Sequence, residues 1–218
     1  MRLSFVPWWL PAAAALLGAG GTQSVPLPVS EFKNVDRDSG KDRYFRLANE
    51  DGHPYLAVDY KPPMETETLG YRLPDNLRES ETRVSWRWRV RSFPKGGDEC
   101  FGDRGDSAAG VFLTFHRGLK WTLLKYIWSE VEPVGTICDK RGNLFLARQT
   151  TVLEKAGAIG VWRQESLDPK AEYVKHFGGT REDVPDLVGV GLLTDGDQTK
   201  TVSAADYSDF MLETESKP

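Results

Sequence analysis

Near its C-terminal end the chain reads "VGVGLLTDGDQTKTV" (188–202), an apolar run entering Asp195, Asp197 and Thr199. Asp-x-Asp-x-Thr after a strand is the spacing used when one carboxylate attacks a phosphoryl group and a second moves the proton. Such a site needs a parallel α/β framework and further charged residues downstream. Only one helix is read before the motif, and the residues after Thr199 do not supply the rest, so phosphoryl transfer is set aside. Two readings stay open. Clustered carboxylates suit a hard cation, and Asp195 and Asp197 with Asp209 form a candidate calcium set, although the full Asp-x-Asp-x-Asp-Gly loop with its closing Glu is absent. Alternatively, both aspartates bond the amides of a polar hairpin turn.

Glu130 and Glu132 follow the aromatic stretch "KYIWSEVEP". On a strand, positions i and i+2 share a face at roughly 6–7 Å, near the span of glycosidase carboxyl pairs. With Asp106 or a loop aspartate they are the candidate catalytic groups. Arg83, Arg87, Arg89 and Arg91 alternate along "ETRVSWRWRVRS" (81–92). Arg87 and Arg89, with Trp128, are the candidate ligand-binding residues of a cationic groove for an anionic polysaccharide or phosphate. The plainer alternative is a solvated face paired to acids such as Glu65 and Glu67. Trp86 and Trp88, opposite the arginines, are read as core. His53, His116 and His176 show no metal-ligand spacing, and His176 is placed on a helix surface. No serine-nucleophile elbow occurs. Arg104-Gly105-Asp106, an integrin-type tripeptide, is read as chance.

The elements that would position these groups are mostly strands. Period-two alternation predicts strands near 43–49, 53–60, 65–74, 81–92, 108–116, 120–130, 143–154, 158–167, 186–195 and 201–213. The 143–154 and 158–167 segments are expected to pair around "KAG". The 108–116 and 120–130 strands are apolar on both faces, which predicts a sheet interior covered on both sides. One helix is expected near 169–178: Asp168 caps it, Pro169 starts it and Gly178 or Gly179 ends it. The fold class is therefore all-β, a two-sheet antiparallel β-sandwich of jelly-roll type with one short helix.

The chain has 218 residues, 39% hydrophobic and 28% charged, enough for one sizeable core. Its net charge of −4 argues against a nucleic-acid binder. The first 24 residues read as a cleaved secretory signal: Arg2, an apolar run from Phe5 to Leu17, then small residues. The run is too short for a membrane span. One β-sandwich domain is placed over 28–218. No Asn-x-Ser/Thr sequon occurs, so the expected location is periplasmic or secreted from a bacterium. Cys100 and Cys138 fall in loops at one end of the 108–130 hairpin, which places a disulfide between them within reach.

The ordered series "SWRWRV", "AAGVFLTF", "YIWSEVEPVGT", "GVW" at 160–162, "AEYVKHFGG", "VGVGLLTDGDQT" and "AADYSDF" resembles the bacterial domain-of-unknown-function family 3047 over about residues 30–213. The resemblance implies an exported β-sandwich and supplies no activity. The closing "DYSDFMLE" is also similar to the last strands of galactose-binding-like modules. The reading these residues favour is a non-catalytic envelope protein that binds a glycan or surface polymer, with no cofactor other than calcium. A glycan-active hydrolase or lyase using Glu130 or Glu132 is the alternative, and a structural or assembly factor the third.

Overall fold

The computed structural model describes residues 21–35, 44–78, 80–138, 143 and 145–215. Thirteen strands are found among them: β1 (Thr22–Pro26), β2 (Lys33–Asn34), β3 (Phe45–Glu50), β4 (His53–Tyr60), β5 (Thr68–Arg72), β6 (Glu81–Ser92), β7 (Ala109–Arg117), β8 (Lys120–Ser129), β9 (Ile137–Cys138), β10 (Leu146–Lys155), β11 (Arg163–Leu167), β12 (Asp186–Leu193) and β13 (Ser203–Glu215). One α-helix, α1 (Pro169–Phe177), starts on the Asp168 carboxylate, which accepts from Ala171 N–H at 3.0 Å, and ends at Gly178 with φ 77°. The expected cap, proline and glycine thus do their expected jobs.

A six-stranded sheet runs β11-β6-β13-β4-β3, with β1 beside the far half of β13. A seven-stranded sheet runs β2-β5-β12-β7-β8-β10-β9. The all-β two-sheet sandwich is as the alternation requires, because each strand can bury only one parity of side chains. Trp86, Trp88 and Tyr207 from one sheet and Leu113, Phe115, Tyr126 and Trp128 from the other share one core cluster. Trp88 and Trp128 lie 5.9 Å apart between ring centroids.

Three expectations are corrected. The 143–154 and 158–167 segments do not pair: β10 joins β8 in parallel, while β11 crosses to β6 in the other sheet. Alternation gives parity, and parity is the same whichever sheet a strand joins. The 188–202 stretch is not a hairpin, because β12 and β13 belong to different sheets and the loop crosses between them. His176 is not a surface group. Its side chain is 1% exposed, and its Nδ1 lies 2.9 Å from Gln149 Oε1 and its Nε2 3.2 Å from Thr151 Oγ1.

Residues 1–20 of the expected signal lie outside the described residues. The last residues assigned to it, Thr22–Ser24, stand in β1 opposite Glu215, Thr214 and Glu213.

Three acids are drawn into the interior and shape the pH dependence of stability: Asp195, pushed up to about 8, and Glu81 and Glu165. Burial pushes the Glu81 carboxyl up to about 7, against the pull of Lys170, whose Nζ is 3.9 Å away. Burial, then the neighbouring Glu154, pushes Glu165 up to about 7, and Trp88 Nε1–H donates to it at 3.2 Å. Folded pKa values above the unfolded value of 4.5 mean that the folded state holds these protons more tightly. Their stabilisation is complete below about pH 4.5 and is lost as pH rises toward 7, by at most about 1.4 kcal/mol per pH unit per proton. The His176 hydrogen bond holds Glu172 below its usual range, so the opposite loss sets in only in stronger acid. Thermal melting is expected to be highest near pH 5 and lower at pH 8. Glu81→Gln should flatten that slope; a slope unchanged by the substitution would exclude Glu81 as its source.

Candidate functional site

The outer face of the seven-stranded sheet carries a groove of about 900 Å³ that crosses β5, β12, β7, β8 and β10. Its floor explains the sequence. Phe112, Thr114 and His116 on β7 share one parity, as do Trp121 and Leu123 on β8, and all five line the groove. These strands are central in their sheet, as their apolar faces predict, yet their second face floors a groove instead of being covered.

Glycine shapes it. Gly70 and Gly191 are register partners, and a Cβ on Gly191 would meet Phe112 Cβ and Leu69 O at 3.4 Å. At Gly70 the missing side chain makes room for Val35, whose Cγ1 would lie 2.6 Å from a Cβ there and which itself lines the groove. The Trp121 ring packs on His116 with centroids 4.0 Å apart and is 44% exposed. Arg72, Arg78 and Arg148 supply the formal charge. No Asp or Glu stands among the described lining residues.

The loop 93–106 enters β7 and lines no part of the groove. Glu99 and Lys125, both nearly inaccessible, meet at 2.6 Å. Cys100 and Cys138 form the expected disulfide, with Cα atoms 4.9 Å apart. Chain order around one hairpin was enough to find it, since both loops leave the same end of the sheet.

The aspartates of "LLTDGDQT" are gathered with Asp106. Carboxylate oxygens of Asp106, Asp195 and Asp197 lie within 4.8 Å of one another. Asp209 is elsewhere: it pairs with Arg87 at 3.1 Å, so the three aspartates expected together do not converge, and Asp106 stands in the cluster in the place expected of Asp209. The hydrogen bonds describe a lock between two loops. Asp106 accepts from Gln198 N–H at 3.2 Å, Thr199 N–H at 2.7 Å and Thr199 Oγ1 at 2.6 Å. Asp195 accepts from Ser107 N–H at 2.7 Å. Burial pushes the Asp195 carboxyl up to about 8, with Lys125 pulling the other way. A proton held there relieves repulsion with the neighbouring carboxylates. Gly196 has no room for a side chain, since a Cβ there would run into Thr201 O and the Tyr60 ring.

The other candidates separate. Strand β8 ends at Ser129, and Glu130 and Glu132 lie in the turn beyond it, where Ser129 Oγ accepts from Val131 and Glu132 N–H. They are therefore not a strand-spaced pair, and neither lines the groove. Trp128 is 2% exposed and donates to Ala156 O at 2.9 Å, so it is core and not a ligand platform.

The arginine stripe is paired to acids from three strands, β3, β4 and β13, and not to the Glu65 and Glu67 of its plainer reading. Arg89 Nε meets Asp206 at 2.6 Å and its Nη1 meets Glu50 at 2.9 Å. Arg91 meets Asp206 at 2.9 Å and Asp59 at 2.7 Å. Glu65 stands in the loop before β5 and Glu67 is buried. Trp162 covers Arg89 at 4.5 Å and donates to Glu50 at 2.9 Å. Arg104 pairs with Asp98 at 3.6 Å, and with Asp106 turned inward the tripeptide is no presented loop.

No curated protein matches the chain. Among solved structures, the family 11 carbohydrate-binding module of the cellulosomal cellulase Lic26A-Cel5E of Clostridium thermocellum aligns at 9% identity over 90% of this chain and 89% of that one, with a TM-score of 0.40. The family 29 module CBM29_1 from Piromyces equi aligns at 10% identity over 88% and 91%, TM-score 0.39. Endoglucanase cel12A from Rhodothermus marinus aligns at 8% identity over 88% and 96%, TM-score 0.46. Scores of this size say nothing about ligand or activity. The sequence itself is decisive: residues 31–211 match the family described as "Protein of unknown function (DUF3047)", and the chain belongs to that family.

Proposed function

We propose that this protein is an exported, non-catalytic binding protein whose ligand, a glycan or envelope polymer, lies in the groove across the seven-stranded sheet. The supporting observation is the groove itself. It is long enough to cross five strands, apolar along its floor, and flanked by the exposed Trp121 ring. The apolar faces of pyranose rings pack on such aromatic surfaces, while their hydroxyls need the polar groups at the walls. Hydrolysis of a glycoside needs two carboxyl groups about the scissile bond, and the described lining offers none. Export is supported by the disulfide, which persists in oxidising compartments. The pairing of Thr22 with Glu215 favours cleavage of the leader before Thr22, and N-terminal sequencing of exported protein would check this.

Trp121 gives the test. Trp86, Trp88 and Trp128 are buried and Trp162 lies in another cavity. Envelope and plant polysaccharides are expected to change the Trp121 emission on binding. Trp121→Ala should weaken binding at least about tenfold, the size of losing one stacked ring, with melting unchanged. Glu130→Gln should leave binding as in wild type. If no polysaccharide binds, or if Trp121→Ala binds like wild type, the groove is not the site.

A further inference from the structure

We infer that the groove is built for an acidic glycan, one whose sugars carry carboxylate groups. The inference rests on the groove being the glycan site and concerns which glycan it takes. The chain as a whole has 32 acidic and 28 basic residues, yet the charged groups of the described lining are three arginines and no acid. That local sign is the reverse of the bulk.

The placement of the arginines matters as much as their number. Arg72 extends from β5, and among the described residues no carboxylate is within ion-pair reach of it. Arg78 stands on the same side. It donates to Leu73 O at 2.9 Å and meets Asp75 at 2.6 Å, but the Asp75 side chain is 87% exposed. The Asp75 end of this pair is free to move away into water, although the Arg78 side chain itself is only 17% exposed. Arg148 lies on β10, register partner of Leu123. From β5 through β12, β7 and β8 to β10 there are four inter-strand steps, which at about 4.8 Å each separate Arg72 from Arg148 by about 19 Å. The floor between them is uncharged: Gly70, Gly191, Phe112, Thr114 and the Trp121 ring. A polymer lying across the strands therefore meets cation, apolar floor, then cation.

Guanidinium forks match carboxylates with two parallel hydrogen bonds, and the floor suits the ring faces between. A lone small anion would use one wall and leave the length idle. A neutral glycan would bring no anion to Arg72, which has no carboxylate in ion-pair reach among the described residues. The acid-rich loop before β7 does not oppose this, because Glu99 is neutralised by Lys125. The arginine stripe on the other sheet is no competitor, since Asp206, Asp59, Glu50 and Asp209 take up its guanidinium groups.

Affinity electrophoresis separates the possibilities. The probes are polygalacturonate, alginate, neutral galactan, neutral xylan and dextran sulfate, each run against wild type, Arg72→Ala, Arg72→Lys, Arg148→Ala and Trp121→Ala. The expected result is retention by the two polyuronates that falls with added salt, and binding about tenfold weaker for each Arg→Ala. Arg72→Lys should recover part of it. The Arg72 side chain is exposed, so its removal is expected to leave melting as in wild type, which circular dichroism checks. Equal retention by the neutral glycans, unaffected by Arg72→Ala, would overturn the acidic preference and leave the glycan groove standing. Dextran sulfate held as tightly as the polyuronates and unaffected by Trp121→Ala would mean charge capture only, and would also overturn it. Retention by none of the five would overturn both.

Discussion

Asp206→Ala is expected to destabilise the protein by about 3–5 kcal/mol, the cost of removing one partner from a buried charge group. The side chain is 1% exposed and accepts from Arg89 Nε at 2.6 Å and Arg91 Nε at 2.9 Å. Those arginines are themselves 13% and 30% exposed, so neither can turn freely to water when the acid is gone. Arg89 is further held by Tyr55 and Trp162, at 5.3 and 4.5 Å from the ring centroids. Asp209 supplies the control. Its pair with Arg87 is more than a third exposed on both sides, which makes it worth less than about 1 kcal/mol. Asp209 has φ 53°, so Asp209→Asn is the substitution to use, because asparagine tolerates that backbone. Urea denaturation of both variants checks the contrast. Similar small losses from both would mean that the Asp206 group is solvated and not a structural anchor.

The second large effect is expected from the disulfide. Replacing Cys100 and Cys138 together by serine frees a closed segment of 38 residues, for which loop entropy gives a loss of about 4 kcal/mol. Adding reductant to unfolded wild type should produce the same shift in midpoint, and the substituted protein should not respond to it. A wild-type midpoint that ignores reductant would contradict the bridge.

Strand β6 was legible to its ends, because four inward apolar residues alternate with arginines from Glu81 to Ser92. Helix α1 was legible from its cap, and the cysteine bridge from chain order. The groove was not. Its walls come from positions as far apart as Arg72 and Arg148, and only the strand order of the sheet brings them to one face. Two local signals pointed that way. Gly189 and Gly191 alternate in an apolar strand, which marks a face without side chains. His116 and Trp121 share parity with Phe112 and Leu123, so the apolar second faces of β7 and β8 had polar or amphipathic ends. Asp106 was missed as a partner of Asp195 because loop 93–106 has no period from which its direction could be read.

Strand β13 lies in the middle of the six-stranded sheet, between β6 and β4, and its far half pairs with β1. Three of the sheet's five strand pairings therefore wait on Ser203–Glu215, while β11–β6 and β3–β4 do not. Until Ser203–Glu215 emerges, β4 and β6 each present an unpaired edge, and β1 has nothing to join. The six-stranded layer cannot assemble on the ribosome while its central member is still in the exit tunnel. For the export proposed above, this order of synthesis favours a chain that is translocated unfolded and acquires its sandwich after release, in a compartment oxidising enough to close Cys100 to Cys138.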